Sequence, residues 1–519
     1  MEPSCIRHTE LPGTSRLFAD FSYHFDRVAR FYRYNPHDPD SLRAAAGAIN
    51  YPADRRAAMV HALAGQNGDS PALARLAEPG TVAVVTGQQV GLFGGPAYTI
   101  YKALTAVRIA RNLSEQGIAA VPIFWLASED HDFPEVSLTW SFDASHQPVR
   151  LQVDAPNEAK GRPRCVGGIR LAAPPVEELR RSLEAFPNGR EVAALVEEAY
   201  PPGVTMAQGF RALLRKIMEP FGLLLLDPLD PNVRAISAPL VAEALSAAPE
   251  LKAGLLERNR ELASSGYHAQ VHLEPKTSLF FLLENGERVP LRLKDSEFAM
   301  LGGRAADISP NALLRPVMQD YLLPTAAYVG GPAELAYLAQ SRVIYDRLLG
   351  RMPVVLPRSA FTLLDAHAVK LLDRYKLPLP AALVHEEALK ERLAEALIPP
   401  GIETAFEETT AALQRHLEGL RSEMEPFDHT LGFALEKSRA KMLYQLEKLR
   451  RKTGREIQRR DARASGDARY LNGLLFPHRH LQERFYSILP FLAKHGFELV
   501  DHLLAAIEPN CRHHRVLAL

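Results

Sequence analysis

Five short apolar runs, separated by segments of helical periodicity, constrain the fold of this chain more than any other feature. The runs do not alternate between polar and apolar residues, and Gly or Pro bounds them. Buried parallel strands have this pattern because both of their faces pack against helices. The runs are VAVVT (82–86), AAVPIFWLA (119–127), GLLLLDP (222–228), TAAYVGG (325–331) and PVVLPRS (353–359). We therefore predict an α/β fold with a doubly wound parallel sheet.

Two polar inserts and a helical region accompany this core. Residues 1–384 are assigned to the core, with N-terminal helices and with inserts near 136–200 and 251–308. In the second insert, ENGE between two apolar runs predicts a β-hairpin. Residues 385–465 carry apolar residues at steps of three, four and seven, which predicts a helical coiled-coil hairpin. Amphipathic helices packed on the core are the alternative. Residues 466–519 are apolar again and are predicted to return to the core.

Charge and cysteine content argue against several classes of protein. Lys plus Arg and Asp plus Glu number 61 each, so no net charge attracts nucleic acid or an anionic membrane. Cys5, Cys165 and Cys511 are far apart and form no CxxC pair, so we predict neither a zinc–thiolate site nor a disulfide framework. No signal core and no apolar run of about 20 residues is present. The chain is expected to be cytoplasmic and to bind neither nucleic acid nor membranes.

A glycine-rich turn follows the first predicted strand. TGQQVGLFGGP (86–96) fits neither a Walker loop nor a dinucleotide fingerprint. Its glycines would let a ligand approach the backbone, and a helix beginning near Pro96 would offer N–H groups to an anion. Glutamines stand where a phosphate loop carries a lysine, which favours a small polar ligand or a ribose; a turn that serves packing alone is the alternative. The predicted binding residues are Thr86, Gly87, Gln88, Gln89, Gly94 and Gly95.

Consecutive ionisable residues follow the second predicted strand, in WLASEDHDFPEV. Ser128 and Glu129 are predicted to bind substrate or nucleotide, and Asp130, His131 or Asp132 is predicted to act as a general base. Metal binding is less favoured, because consecutive residues of an extended chain point in opposite directions. A polar surface turn is the alternative.

A second glycine turn closes the fourth predicted strand, in SPNALLRPVMQDYLLPTAAYVGGPAELAYLAQ. Ser309 is predicted to cap the preceding helix. Two such turns in one sheet predict a cleft at a topological switch point. Arg315 or Arg358 would bind a carboxylate there, with salt bridges and a packing turn as alternatives. The predicted binding residues are Arg315, Tyr328, Gly330, Gly331, Glu334 and Arg358.

These motifs, together with VVTGQQVGLFGGPAYTIYKALTA, PIFWLASEDHDFPEV and VVLPRS, resemble the BshC family, the cysteine ligases of bacillithiol biosynthesis. The resemblance runs in order along essentially the whole chain. It implies a Rossmann-like core similar to that of class I aminoacyl-tRNA synthetases, with two connecting-peptide inserts. It also implies a coiled-coil arm that forms a homodimer.

The implied reaction joins the carboxyl group of cysteine to the amine of glucosaminyl-malate, as the last step of bacillithiol biosynthesis. ATP is the expected activator of the carboxyl group, and Mg²⁺ is expected only together with the nucleotide. Two alternatives stay open because the chain lacks a Walker lysine and an obvious KMSKS-like element. They are a nucleotidyltransferase on the same core and a non-catalytic dimer that binds a nucleotide or metabolite.

Overall fold

A computed structural model of the chain describes residues 4–154, 163–274, 277–292, 295–460 and 462–519. Residues 155–162, 275–276 and 293–294 of the predicted inserts and Asp461 of the predicted hairpin lie outside the described residues. The strands are β1 (Ser4–Ile6), β2 (Val82–Gln88), β3 (Ala120–Leu126), β4 (Leu138–Phe142), β5 (Pro148–Gln152), β6 (Leu224–Leu226), β7 (Phe280–Glu284), β8 (Glu287–Pro290), β9 (Ile308–Pro310), β10 (Thr325–Gly330), β11 (Val354–Pro357), β12 (Phe361–Leu364) and β13 (His514–Ala518).

The helices precede, link and follow these strands. They are α1 (Arg16–Tyr23), α2 (Ser41–Gly47), α3 (Ala53–Asn67), α4 (Pro71–Ala77), α5 (Tyr98–Glu115), α6 (Phe133–Val136), α7 (Val176–Leu183), α8 (Gly189–Ala199), α9 (Met206–Met218), α10 (Pro231–Ser246), α11 (Ala248–Ser264), α12 (Arg315–Leu322), α13 (Pro332–Leu348), α14 (Ala366–Arg374), α15 (Leu379–Ala382), α16 (Glu386–Ala396), α17 (Pro400–Met424), α18 (His429–Arg460), α19 (Ala462–Leu475), α20 (Gln482–Phe485), α21 (Leu489–His495) and α22 (Glu498–Ala506).

The predicted parallel sheet is confirmed. Its order is β11-β10-β2-β3-β6, and every neighbouring pair is parallel. The chain lays β2, β3 and β6 outward in one direction, then crosses back to place β10 and β11 on the other side of β2. The strand order therefore reverses between β2 and β10, which is where ligands bind in open α/β sheets.

The continuous apolar character of the strands follows from burial on both faces. Val85, Ile123 and Tyr328 belong to one hydrophobic core, whereas Val84 and Val329, their neighbours in sequence or in register, belong to the core on the opposite face. Because side chains alternate along a strand, both faces need apolar residues. Each fully buried side chain of this size contributes about 1.5–3 kcal/mol of transfer free energy.

The second insert forms the predicted hairpin. Strands β7 and β8 pair antiparallel, and β7 also pairs with β9. Asn285 and Gly286 occupy the turn with φ of 53° and 79°, the left-handed values that a tight hairpin turn needs. The prediction that Ser309 caps a helix is wrong, because Ser309 lies in β9 and α12 begins only at Arg315. The Asn311 side chain instead accepts the N–H groups of Leu313 and Leu314.

The chain forms two compact units. The first comprises residues 1–144, 148–362 and 483–517, and the second comprises 145–147, 363–482 and 518–519. Helices α14 and α15, which precede residue 385, thus belong to the second unit, so its beginning lies upstream of the predicted division at residues 384 and 385. That division and the return of residues 466–519 to the core stay predictions.

A helical hairpin dominates the second unit and confirms the predicted coiled-coil arm. Helix α17 ends at Met424, before Pro426, and α18 begins at His429. Pro426 cannot donate the hydrogen bond that would continue α17. Asp428 accepts the N–H of Thr430, which satisfies one of the free donors at the start of α18. Among the described residues, no helix is long and apolar enough to cross a membrane.

Candidate active site

A cavity of about 370 Å³ opens at the carboxyl ends of β2 and β10, within the first unit. Ten predicted site residues line it: Gly87, Gln88, Gln89, Glu129, Asp130, Arg315, Tyr328, Gly331, Glu334 and Arg358. The remaining lining residues are Tyr98, Lys102, Trp125, Ala127, Glu135, Arg288, Pro310, Asn311, Ala312, Pro332, Ala333, Tyr337 and Arg484. The cavity thus gathers residues from both glycine turns, from the segment after β3 and from the second insert.

Lys102 supplies the lysine that the first glycine turn lacks. It lies in α5, and its ammonium donates to the Gly87 carbonyl at 2.8 Å and to Gln88 Oε1 at 2.9 Å. It also forms an ion pair with Glu334. These three acceptors use all three of its N–H donors. Lys102 therefore ties the first turn to the second, and its donors are already occupied in this structure.

Glu334 is the partner that places Lys102 at the second turn. Its carboxylate accepts the Gly331 N–H at 2.7 Å and the Tyr328 hydroxyl at 2.6 Å. Burial acts to raise the pKa of Glu334, but Lys102 and these donors outweigh it and hold the pKa below its usual value. Burial lowers the pKa of Lys102, and Glu334 opposes that shift. The pair is thus a buried charge pair whose members depend on each other.

Arg315 is a partly buried cation whose hydrogen-bond partners among the described residues are all neutral. Its guanidinium donates to Gln319 Oε1 at 2.9 Å, to the Tyr337 hydroxyl at 2.9 Å and to the Tyr328 hydroxyl at 3.3 Å. It forms no ion pair with a carboxylate in the part of the chain that the structure describes. Burial acts to lower the pKa of Arg315, but Tyr337, Tyr328 and Glu334 outweigh it and raise that pKa. The guanidinium therefore stays charged, and a ligand carboxylate can add the direct ion pair that it lacks.

Arg358 differs from Arg315 because its charge is already matched. Two of its nitrogens bind Glu483 at 2.6 and 2.8 Å, and the Phe361 N–H also donates to Glu483. Burial opposes the charged forms of both groups. The bidentate contact nevertheless raises the pKa of Arg358 and lowers that of Glu483. The pair anchors the segment that carries Arg484, the next residue, at the edge of the cavity.

The segment that follows β3 forms an acidic edge of the cavity, which consists of Asp130 and Glu135. The Gln89 amide donates to Asp130 Oδ2 at 2.7 Å and to Glu135 Oε2 at 2.8 Å. One NH₂ group therefore holds two carboxylates close together. Asp130 Oδ1 also accepts the N–H of His131 at 2.7 Å. The two carboxylates line the cavity and provide acceptors for an ammonium group.

His131 and Asp132, the other two candidates for the base, do not line the cavity. Arg288 lies 2.9 Å from His131 Nδ1, which makes that nitrogen an acceptor and places the neutral imidazole proton on Nε2. Burial and Arg288 both lower the pKa of His131. Asp132 accepts the N–H of Glu135 and caps α6. Both side chains serve local structure around Asp130.

Glu129 is buried behind this edge. It accepts from Arg234 at 2.5 Å and from the Ser309 hydroxyl at 3.0 Å, and Ser309 in turn accepts from Arg288 at 3.0 Å. Burial raises the pKa of Glu129. This network joins the end of β3 to the hairpin of the second insert.

Five other predicted binding residues support the site from outside the cavity lining. They are Thr86, Gly94, Gly95, Ser128 and Gly330. Thr86 donates to the Val329 carbonyl and so links β2 to β10, and Ser128 is hydrogen-bonded to Asp227. The N–H of Ala97, at the start of α5, donates to the Tyr486 carbonyl at 2.7 Å. The Ala97 N–H is thus hydrogen-bonded within the protein, and the Gly331 N–H is likewise bonded to Glu334. Neither of these two N–H groups is therefore free to bind an anion.

The sequence held a signal for Lys102 that motif reasoning missed. Lys102 is a buried residue of α5, and its neighbours in YTIYKALTAV are largely apolar and buried. A lysine at such a position needs a buried partner. Arg288 and Arg484, by contrast, lie far from both turns in sequence and have no local pattern. Within the described ranges, no group of three or more His, Cys, Asp or Glu residues is placed to hold a metal ion.

Comparison with known proteins agrees with this architecture. A family model described as the BshC N-terminal Rossmann-like domain of bacillithiol biosynthesis matches residues 1–359. A second, described as the BshC C-terminal coiled-coil domain, matches residues 361–519. A Solibacter usitatus protein is 52% identical over 100% of both chains, and a Koribacter versatilis protein is 37% identical over 100% of both. A Salinibacter ruber protein is 33% identical over 97% of this chain and 96% of its own. Each of the three is named "Putative cysteine ligase BshC".

Proposed function

Because the chain belongs to the BshC family of bacillithiol biosynthesis, we propose that it is a ligase that joins the carboxyl group of cysteine to the amine of glucosaminyl-malate. The observation that carries the proposal is the charge pattern of the cavity. An acidic edge, Asp130 with Glu135, lines the same space as Arg315, a guanidinium that forms no ion pair with a carboxylate among the described residues. A reactant with both an amine and carboxylates complements that pattern.

In this proposal Asp130 is the general base. An amine attacks an activated carboxyl carbon only after it loses its ammonium proton, and a carboxylate within hydrogen-bond reach can accept that proton. Asp130 lines the cavity, whereas His131 and Asp132 do not. Gln89 and the His131 N–H hold the Asp130 carboxylate in place. The carbon–nitrogen bond then forms as the activating group leaves the carboxyl carbon.

Arg315 is the carboxylate-binding residue in this proposal. Arg358, the other candidate, already binds Glu483 with two nitrogens. Lys102 keeps the two glycine turns at a constant separation, because its three donors connect Gly87 and Gln88 to Glu334. Such pre-organisation lowers the cost of holding the reacting groups together.

ATP is proposed as the cosubstrate, because amide formation from a free carboxylate and an amine is unfavourable in water. The Gly331 and Ala97 N–H groups are bonded within the protein, so these two groups do not bind the nucleotide's phosphates. No step is therefore assigned to groups that hold the nucleotide.

The test uses the purified protein with cysteine, glucosaminyl-malate and ATP, followed by mass spectrometry. The proposal expects the amide product, with AMP or ADP formed in proportion. Adenylate that accumulates without the amide would indicate a nucleotidyltransferase. The absence of any product, with ligand-dependent thermal stabilisation, would indicate a binding protein and overturn the proposal.

A further inference from the structure

The cavity has an excess of unmatched positive charge at one end. Lys102 is matched by Glu334 and Arg358 by Glu483. Arg315 and Arg484 also line the cavity, but neither forms an ion pair with any carboxylate in the described part of the chain. Burial lowers the pKa of Lys102 and Glu334 raises it; Arg358 and Arg315 also lower it, which shows that these positive charges lie near one another.

Arg484 is held at the cavity although its side chain is exposed. It follows Glu483, whose carboxylate is buried in the bidentate contact with Arg358. It precedes Phe485, which is also buried, so the backbone on both sides is anchored. Its guanidinium carbon lies 5.8 Å from the centre of the Tyr98 ring, and Arg358 and Lys102 lie 5.1 and 5.9 Å from the same ring.

Three arginines that line the cavity form no ion pair with a carboxylate in the described part of the chain. Arg288 lies beside the acidic edge and is already bound to Ser309, His131 and the Pro310 carbonyl. The other two, Arg315 and Arg484, are separate points of attachment. Arg315 comes from α12 and contacts Tyr328 and Tyr337, whereas Arg484 comes from α20 and lies against Tyr98. Two guanidiniums on different elements suit two separate carboxylates better than one. Asp130 and Glu135 provide the complementary acceptors for an amine.

We propose that this cavity holds the amine-bearing dicarboxylate of the reaction, with Arg315 and Arg484 each binding one of its two carboxylates. The inference rests on the proposed function and adds to it which reactant the cavity selects. Cysteine carries one carboxylate and leaves one arginine unmatched, so it is the poorer occupant. Arg484 is then a specificity-determining residue, supplied by the last part of the chain to return to the first unit.

The test measures binding without ATP or cysteine, by titration calorimetry. The ligands are glucosaminyl-malate and its two monoamides, in each of which one carboxylate is a carboxamide. Wild-type protein is expected to bind each monoamide about tenfold or more weakly, the usual loss for a charge-assisted hydrogen bond. In Arg484→Gln, the penalty for one monoamide is expected to vanish while the penalty for the other remains. In Arg315→Gln, the penalty for the second monoamide is expected to vanish while the penalty for the first remains. Each arginine is thereby matched to one carboxylate, as in a double-mutant cycle.

Controls separate charge from folding. Arg190→Gln removes an exposed arginine of the first unit that does not line the cavity and is expected to keep both penalties. Arg315→Lys keeps the positive charge and is expected to keep both penalties, and the thermal unfolding of both Arg315 variants shows whether either change disturbs folding. Penalties that remain unchanged in Arg484→Gln, or that are lost equally in Arg190→Gln, would overturn the inference.

The two proposals fail in different ways. Amide formed by wild-type protein, together with penalties that the arginine variants leave unchanged, would reject this inference and leave the ligase standing. Selective, arginine-dependent binding of the dicarboxylate without amide formation would reject the ligase and support this inference.

Discussion

Replacement of Lys102 by Met is expected to destabilise the first unit because it leaves Glu334 without its counter-ion. Met is close to Lys in length, so the change removes the charge and three hydrogen bonds with little change in packing. Removal of one member of a buried ion pair costs about 3–5 kcal/mol. We expect about 3 kcal/mol, the lower end of that range, because Glu334 keeps its bonds to Gly331 and Tyr328 and its side chain is 17% exposed.

The assay is urea unfolding followed by tryptophan fluorescence. The chain has two tryptophans, Trp125 and Trp140, and both belong to the first unit. The signal therefore reports the unit that contains the cavity. The matched control is Lys216→Met, which removes a lysine that is 50% exposed and paired with Glu198 at 3.5 Å. An exposed pair of this kind contributes about 0–1 kcal/mol.

The pH dependence gives a second readout. In the wild type the pKa of Glu334 is lowered, so its contribution to stability is present above the unfolded pKa and is lost as pH falls through the folded one. Without Lys102, burial raises that pKa instead, and the variant gains stability relative to wild type as pH falls from about 7 to 5. The double variant Lys102→Met with Glu334→Gln is expected to recover about 1–2 kcal/mol. A loss below about 1 kcal/mol that matches Lys216→Met and does not vary with pH would refute the reasoning.

Three further predictions concern catalysis, assembly and thiol chemistry. Asp130→Asn is expected to lower kcat of amide formation by about 10²-fold or more, whereas His131→Ala is expected to lower it by less than about tenfold. The reason is that Asp130 lines the cavity and His131 does not. Steady-state kinetics measures both values, and equal losses would contradict the assignment of Asp130 as the base. If the coiled-coil hairpin forms the homodimer, Leu449→Glu is expected to raise the fraction of monomer in sedimentation analysis, because Leu449 is 53% exposed on α18. An unchanged ratio of monomer to dimer would exclude the helix face that carries Leu449 as the dimer contact. Burial raises the pKa of the Cys165 thiol to about 12. Cys165 is therefore expected to resist alkylation by iodoacetamide at about pH 8, while the exposed Cys5 is alkylated. Mass spectrometry measures both rates, and comparable rates would show that Cys165 is accessible.

Motif reasoning reached those parts of the site that are local in sequence. The apolar runs and their glycine turns predicted the parallel strands, and the reversal of strand order placed Gln88 and Gly331 at one cavity. The carboxyl ends of parallel strands share one edge, so residues after β2, β3 and β10 had to lie near one another. Asp130 among the candidate bases and Arg315 among the candidate arginines could not be distinguished without side-chain directions.

The sequence by itself determined the parallel α/β core, the helical hairpin and the identity of the turns, because these depend on periodicity and on residues within a few positions of each other. Only the tertiary structure decided the charge pairs of the cavity. Lys102 meets Glu334, and Arg358 meets Glu483 from 125 positions away. Such pairs leave no periodic signal, since the chain between the partners contributes nothing to their contact. The folded structure alone therefore shows that Arg315 and Arg484 line the cavity without a carboxylate partner among the described residues.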